Sequence, residues 1–216
     1  MIAFDREEHI STPIARIKVV GVGGGGNNTI NCMIEMGGYD GVEFIAINTD
    51  AQALARSKTN KRVQIGIKST KGLGAGANPE MGKRAAEEDL DKVLELLKEA
   101  DIVFISGGMG GGTASGAVPV IVKSLKDKGI LTVAVVTRPF QFEGNKRALI
   151  AEEAIAKIRK EVDTLIVVPN QKLLEVEIQF LQERLAEEAA KGYDVLDTQR
   201  TLAQLEIELA QKKADE

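Results

Sequence analysis

Apolar residues fall along this chain in two alternating rhythms. Short runs rich in Val and Ile occur at 17–20, 42–47, 62–67, 101–106, 131–137 and 164–168. They are close to continuously apolar, which predicts strands buried on both faces, as in a parallel sheet. Between them apolar positions recur three and four residues apart. This spacing predicts a helix ending near Met36, another starting near Ala51, and one helix from Pro79 to about Glu99 carrying Met81, Ala85, Leu90, Val93, Leu94 and Leu97. Further helices are predicted through Val118, Ile121, Val122 and Leu125, and from Arg147 to about Glu161. Strand and helix alternate throughout, so the expected class is α/β, with a mainly parallel sheet and helices on both faces. From Lys172 onward the strands stop. Ile178, Leu181 and Leu185 form one helical stripe, and Leu202, Leu205 and Leu209 another. The expected organisation is an N-terminal extension (1–15), an α/β domain (16–176) and a C-terminal helical tail (177–216). The tail is one long helix or two helices broken near Gly192.

Glycine changes this picture most. Most of the 22 glycines cluster at 21–26, 72–76 and 107–116, and each cluster lies between a strand and a helix. Right-handed crossovers place all three on one edge of the sheet. A helix start offers backbone N–H groups and the positive end of the helix dipole, and glycine lets a ligand approach the backbone. Gly21, Gly23 and Gly26 fit G-x-G-x-x-G. Three such loops on one edge favour a nucleotide polyphosphate.

Other residues leave alternatives open. Asn27 or Asn28 can cap a helix or donate to an anion, and Asp50 can cap a helix or face a ligand. Glu143 and Arg147 fit a ribose and base contact, or a solvated ion pair at a helix start. Cys32 reads as a small packing residue, and His9 as an exposed residue without a special role.

Composition mostly excludes. The net charge of −4 and the lack of a basic block argue against nucleic acid as a partner. One cysteine excludes an intrachain disulfide and points to a cytoplasmic protein. No apolar run reaches membrane-spanning length, and the charged residues at 5–8 do not suit a signal peptide, so no direct membrane insertion is expected.

Six ordered stretches carry a resemblance. They are GVGGGGNN from Gly21, INTDAQAL from Ile47, GLGAGANPEMG from Gly72, GGMGGGTASGA from Gly107, TRPFQFEGNKR from Thr137 and VVPNQKLLEV from Val167. Together residues 14–176 resemble the FtsZ family of bacterial cell-division proteins, in the tubulin superfamily. The resemblance implies a Rossmann-like three-layer domain that binds GTP and GDP with Mg²⁺. It implies that Gly24, Gly25, Gly26, Asn27 and Asn28 hold the α- and β-phosphates. Ala75, Gly76 and Ala77 would sense the γ-phosphate, and Gly111, Gly112, Thr113 and Ala114 would hold the β/γ side. Glu143 and Arg147 would contact the ribose and base region, and Asn170 the guanine edge. It further implies head-to-tail contact with itself or a full-length FtsZ, in the cytoplasm at the division site.

The chain also departs from that pattern. Ala114 stands where the family signature has glycine, and Gln171-Lys172 follow the asparagine motif. Beyond Val176 no Phe-x-x-x-Asp follows to read the base; the nearest aspartate, Asp194, follows Tyr193. The sequence given ends before the family's second domain, whose acidic loop activates water in a neighbour's site. No catalytic residue is therefore expected here, and turnover by this chain alone is expected to be impaired. A non-catalytic modulator or capper of FtsZ filaments is the alternative. A nicotinamide-dependent oxidoreductase would use the first glycine loop and Asp50, but leaves the other two loops without a role.

Overall fold

The computed structural model describes residues 15–191 and 195–214. His9 and most of the N-terminal extension lie outside them, as do Tyr193 and Asp194. Six strands form one sheet: β1 (Ile17–Val22), β2 (Val42–Asn48), β3 (Lys61–Gln64), β4 (Ile102–Gly108), β5 (Leu131–Arg138) and β6 (Thr164–Pro169). All are parallel, in the order β3-β2-β1-β4-β5-β6. The order reverses between β1 and β4. In such sheets ligands bind at the carboxyl edge beside that reversal.

The helices are α1 (Gly23–Met36), α2 (Ala51–Ala55), α3 (Ile67–Thr70), α4 (Pro79–Glu88), α5 (Leu90–Leu97), α6 (Thr113–Asp127), α7 (Asn145–Arg159), α8 (Asn170–Ala190) and α9 (Leu196–Ala214). The main core lies between the sheet and helices α4 to α7. Ile45, Ile47, Ile105, Ala134 and Val136 point into it from the strands, and Leu97, Ile121, Leu125 and Ile158 from the helices. Burying each of these Ile, Leu and Val side chains contributes about 1.5–3 kcal/mol. The tightest approach is α4 on α6. A Cβ built on Gly116 would lie 2.0 Å from the Pro79 carbonyl oxygen, so only glycine admits this spacing.

The opposite face is covered less completely. There α1 packs over β1, β2 and β4. Alternate residues of β4 and β5, including Phe104 and Val135, stay partly exposed on this side, and Ile166 of β6 is exposed.

Four local expectations need correction. The predicted third strand stops at Gln64, because Gly66 adopts a left-handed conformation and opens α3. The predicted helix 79–99 is two helices. Asp89 interrupts it: its buried carboxylate turns away to accept the Gly66 backbone N–H at 2.8 Å. The first helix starts at Gly23 rather than after an asparagine cap, with no side-chain cap at all. Cys32 is exposed, because it lies on the solvent side of α1 while Ile30 points into the fold.

The tail forms two helices. The Ile178 stripe of α8 faces the Leu202 stripe of α9, with Ile178 buried and the remaining leucines half-buried. Gln182 donates to Glu206 at 3.0 Å and Thr198 to Glu188 at 2.8 Å across the pair.

Candidate functional site

Every strand of a parallel sheet ends on the same edge, so the segments that follow β1, β4, β5 and β6 converge here. The chain passes from Val22 directly into α1, with no intervening loop. This requires the helix to sit against the strand ends. A Cβ on Gly26 would lie 2.4 Å from the Ser106 carbonyl oxygen, and one on Gly21 would lie 2.3 Å from that of Gly26. These glycines fix the seat of α1, while Gly24 and Gly25 remain exposed at its first turn.

After β4 the chain turns through Met109 to Gly112 into α6. Gly110 takes φ +97°, a region that costs other residues strain. The turn is fastened on both sides. The Met109 N–H donates to the Thr137 carbonyl at 2.9 Å, and the Gly110 N–H donates to Ser115 Oγ at 2.9 Å. Thr113 opens α6, and its Oγ1 lies 2.7 Å from Thr49 Oγ1, in the segment after β2. Following β5, Glu143 closes a 3₁₀ turn, accepting from the Phe140 N–H at 2.9 Å and pairing with Arg147. Asn170 stands at the start of α8, directly after β6.

These segments enclose a cleft of about 320 Å³. Of the expected residues, Gly24, Gly25, Gly111, Gly112, Thr113, Ala114, Glu143, Arg147 and Asn170 line it. Gly26 and Asn27 lie buried behind the first turn, and Asn28 is exposed on α1; none of the three lines the cleft. Ala75, Gly76 and Ala77 do not line it either. Ala75 supports the wall from behind, since its Cβ would lie 2.8 Å from a Cβ on Gly112. Gly23, Gly108, Thr137 and Pro139 also line the cleft. Gly23 is the second glycine of the G-x-G-x-x-G pattern, while Gly108, Thr137 and Pro139 lie in the quoted motifs with no feature that singles them out.

The electrostatics follow from the helix ends. Helices α1 and α6 both begin at the cleft, and neither has a side-chain cap or an acidic residue in its first turn. Elsewhere on the same edge, Asp50 caps α2, and Asn78 caps α4, which also carries Glu80 in its first turn. Uncapped N-termini offer N–H groups and partial positive charge to an anion. Two of the three glycine loops therefore end in open helix starts, and the third ends in a closed one.

Ala114 brings no backbone strain. It lies within α6, and the positive-φ residues other than glycine among those described are Lys71 and Ala77. Its methyl packs against Gly23 and Gly107 and is largely buried. Among the described residues, no group of three His, Cys, Asp or Glu could hold a metal ion, and no helix is long and apolar enough to cross a membrane.

The sequence and fold match known proteins over this region. The cell division protein FtsZ of Buchnera aphidicola is 57% identical over 162 residues, which are 75% of this chain and 42% of that protein. FtsZ of Wigglesworthia glossinidia brevipalpis is 57% identical over 165 residues, 76% of this chain and 43% of that protein. The chain thus spans less than half the length of these relatives. An empty FtsZ dimer from M. jannaschii superposes with a TM-score of 0.74 at 47% identity, covering 78% of this chain and 49% of that one. CetZ2 from Haloferax volcanii, a GTPγS-bound protofilament, gives 0.67 at 26% identity, covering 72% and 49%. The GTPase domain of the Tubulin/FtsZ family matches residues 16–177, and the chain belongs to that family.

Proposed function

We propose that the cleft binds the phosphates and nucleoside of GTP or GDP. The observation that carries this reading is the pair of uncapped, acid-free helix starts, α1 and α6, facing one glycine-lined cleft. In this reading Gly24 and Gly25 take the α- and β-phosphates. Gly26 and Asn27 hold that turn in place from behind, and Asn28 flanks it. Gly111, Gly112, Thr113 and Ala114 take the β/γ side. Ala75, Gly76 and Ala77 stand beyond Gly112, where they respond to a γ-phosphate. Glu143, Arg147 and Asn170 face the ribose and base. A Mg²⁺ ion would arrive on the phosphates, since the described residues bring no carboxylate cluster to hold one.

Hydrolysis by the chain alone is proposed to be slow. Glu143 is the one carboxylate lining the cleft, and it is engaged by the Phe140 N–H and Arg147. Acid groups from another subunit would supply water activation, through head-to-tail contact with itself or a longer FtsZ. The setting is the cytoplasm at the division site. The same shortage of carboxylates favours a second reading, a non-catalytic modulator that caps FtsZ filaments. It predicts inhibition of FtsZ assembly at substoichiometric ratios.

Calorimetric titration with GTP and with ATP, each with Mg²⁺, tests the first reading. GTP binding tighter than ATP binding supports it. Equal binding would remove base recognition, and no binding of either would overturn the site.

A further inference from the structure

The segment 66–78 carries the glycine cluster at 72–76, and both of its ends are anchored on α4. At one end the anchor is covalent: Asn78 caps α4 and Pro79 opens it. At the other end it is made by Glu88, the last residue of α4, and by Asp89, the next. The two anchors lie about 15 Å apart along a ten-residue helix. That helix is itself locked on α6. A Cβ on Gly82 would lie 2.2 Å from the carbonyl oxygen of Gly112, which lines the cleft.

The anchor at Glu88 and Asp89 is dense. Helix α3 starts after Gly66, which has no side chain to cap it. Instead Asp89 Oδ2 accepts from the Gly66 N–H at 2.8 Å. The two Glu88 oxygens accept from the Lys68 N–H at 2.8 Å and the Ser69 N–H at 3.1 Å. Two consecutive carboxylates thus satisfy the orphan donors of one short helix. Gly66 takes φ +67° directly against α4, where a Cβ would lie 2.3 Å from that of Ala85. The Thr70 hydroxyl closes the turn, donating to the Gly66 carbonyl at 2.8 Å.

Between the anchors the loop has little to fix it. Gly76 and Ala77 are exposed, and a Cβ on Gly76 would meet nothing within 4 Å. The loop is also strained at both ends: Lys71 and Ala77 take φ +52° and +57°. Residues other than glycine persist in that region only where their surroundings hold them.

We infer that Glu88 and Asp89 are positioning residues for the γ-phosphate, a role that rests on the cleft being a GTP or GDP site. By holding residues 66–70 on α4 they set the conformation in which Ala75, Gly76 and Ala77 meet that phosphate. Neither carboxylate lines the cleft, so both act only through the loop. Releasing the anchor leaves Gly24 and Gly25 in place for the α- and β-phosphates. Its signature is a loss of GTP affinity with GDP affinity kept.

Calorimetric titration of Glu88→Ala with GTP and with GDP, each with Mg²⁺, tests this. Glu88 is exposed, so the variant should fold. Its GTP affinity should fall about tenfold, while its GDP affinity stays within about twofold of wild type. Asp89→Ala should act likewise. Asp89→Asn keeps an acceptor for the Gly66 N–H and should largely restore the wild-type ratio. Glu87→Ala, which removes only the neighbouring pair with Lys83, should leave the ratio unchanged. A merely structural role would lower Tm or weaken both nucleotides together. Binding of both nucleotides with an unchanged ratio in Glu88→Ala overturns this role alone. A wild-type chain that binds neither overturns the nucleotide site and this role with it.

Discussion

The hydroxyl of Thr49 lies 2.7 Å from the hydroxyl of Thr113, although 64 residues separate them in sequence. Thr49 is fully buried, and Thr113 faces the cleft at the first residue of α6. The bond fastens the segment after β2 to the helix start beneath the proposed phosphate site. One hydrogen bond of this kind contributes about 0.5–1.5 kcal/mol. Thr113→Val should therefore weaken GTP binding about tenfold and lower stability slightly, while Thr49→Val should mainly lower stability. Calorimetry paired with thermal melts separates the two. Wild-type affinity in the Thr113 variant would remove that hydroxyl from the site.

Two glycines should respond to alanine in opposite ways. At Gly116 the new Cβ would meet the Pro79 carbonyl oxygen at 2.0 Å and the Lys83 nitrogen at 2.4 Å. Both are backbone atoms, so α4 and α6 must separate, and Gly116→Ala should cost about 3 kcal/mol. At Gly24 a Cβ meets nothing within 4 Å. Gly24→Ala should keep or slightly raise stability, since alanine favours the helix by up to about 1 kcal/mol. It should nevertheless weaken nucleotide binding, because the methyl enters the cleft. Urea unfolding and nucleotide titration on both variants check this. Unchanged GTP affinity in Gly24→Ala would remove the first turn of α1 from the phosphate site.

Asp50 has a local role that can be measured apart from binding. Its Oδ1 accepts from the N–H groups of Gln52 at 2.9 Å and Ala53 at 3.0 Å, capping α2. Asp50→Ala should cost about 1 kcal/mol, and Asp50→Asn much less. Neither should change the GTP dissociation constant, because Asp50 does not line the cleft. A tenfold loss of affinity in Asp50→Asn would instead give this residue a ligand role.

The Arg16–Asp101 pair makes acid stability predictable. Asp101 accepts from the Arg16 guanidinium at 3.1 and 3.2 Å and from its backbone N–H at 2.7 Å. The side-chain bond first, and then the backbone bond, hold its carboxyl at about 2 instead of 3.8. A lowered folded value means the contribution is present above the ordinary value and is lost as pH falls toward the folded one. The stability difference between wild type and Asp101→Asn should therefore shrink as pH drops from about 4 to about 2, and stay constant above pH 5. A difference that grows on acidification would contradict the pair.

Much of the fold is legible in local sequence. The six apolar runs became six parallel strands, because burial on both faces leaves a near-continuous apolar signature that needs no knowledge of neighbours. The glycine clusters at 21–26 and 107–116 marked the cleft for an equally local reason: a close approach to a helix start tolerates no side chain. The closed start of α2 was legible in Asp50, but the open start of α1 was not: Asn27 and Asn28 offered caps, and the helix begins before both, at Gly23.

Tertiary structure decided the rest, through contacts between residues far apart in sequence. Asp89 sits in a continuous helical pattern, and only the Gly66 N–H, 23 residues away, turns it into a break. Ala114 differs from the family signature, and only its place inside α6 shows that the backbone tolerates it. Spacing assigned Cys32 to packing, but the direction in which α1 lies on the sheet leaves it in solvent.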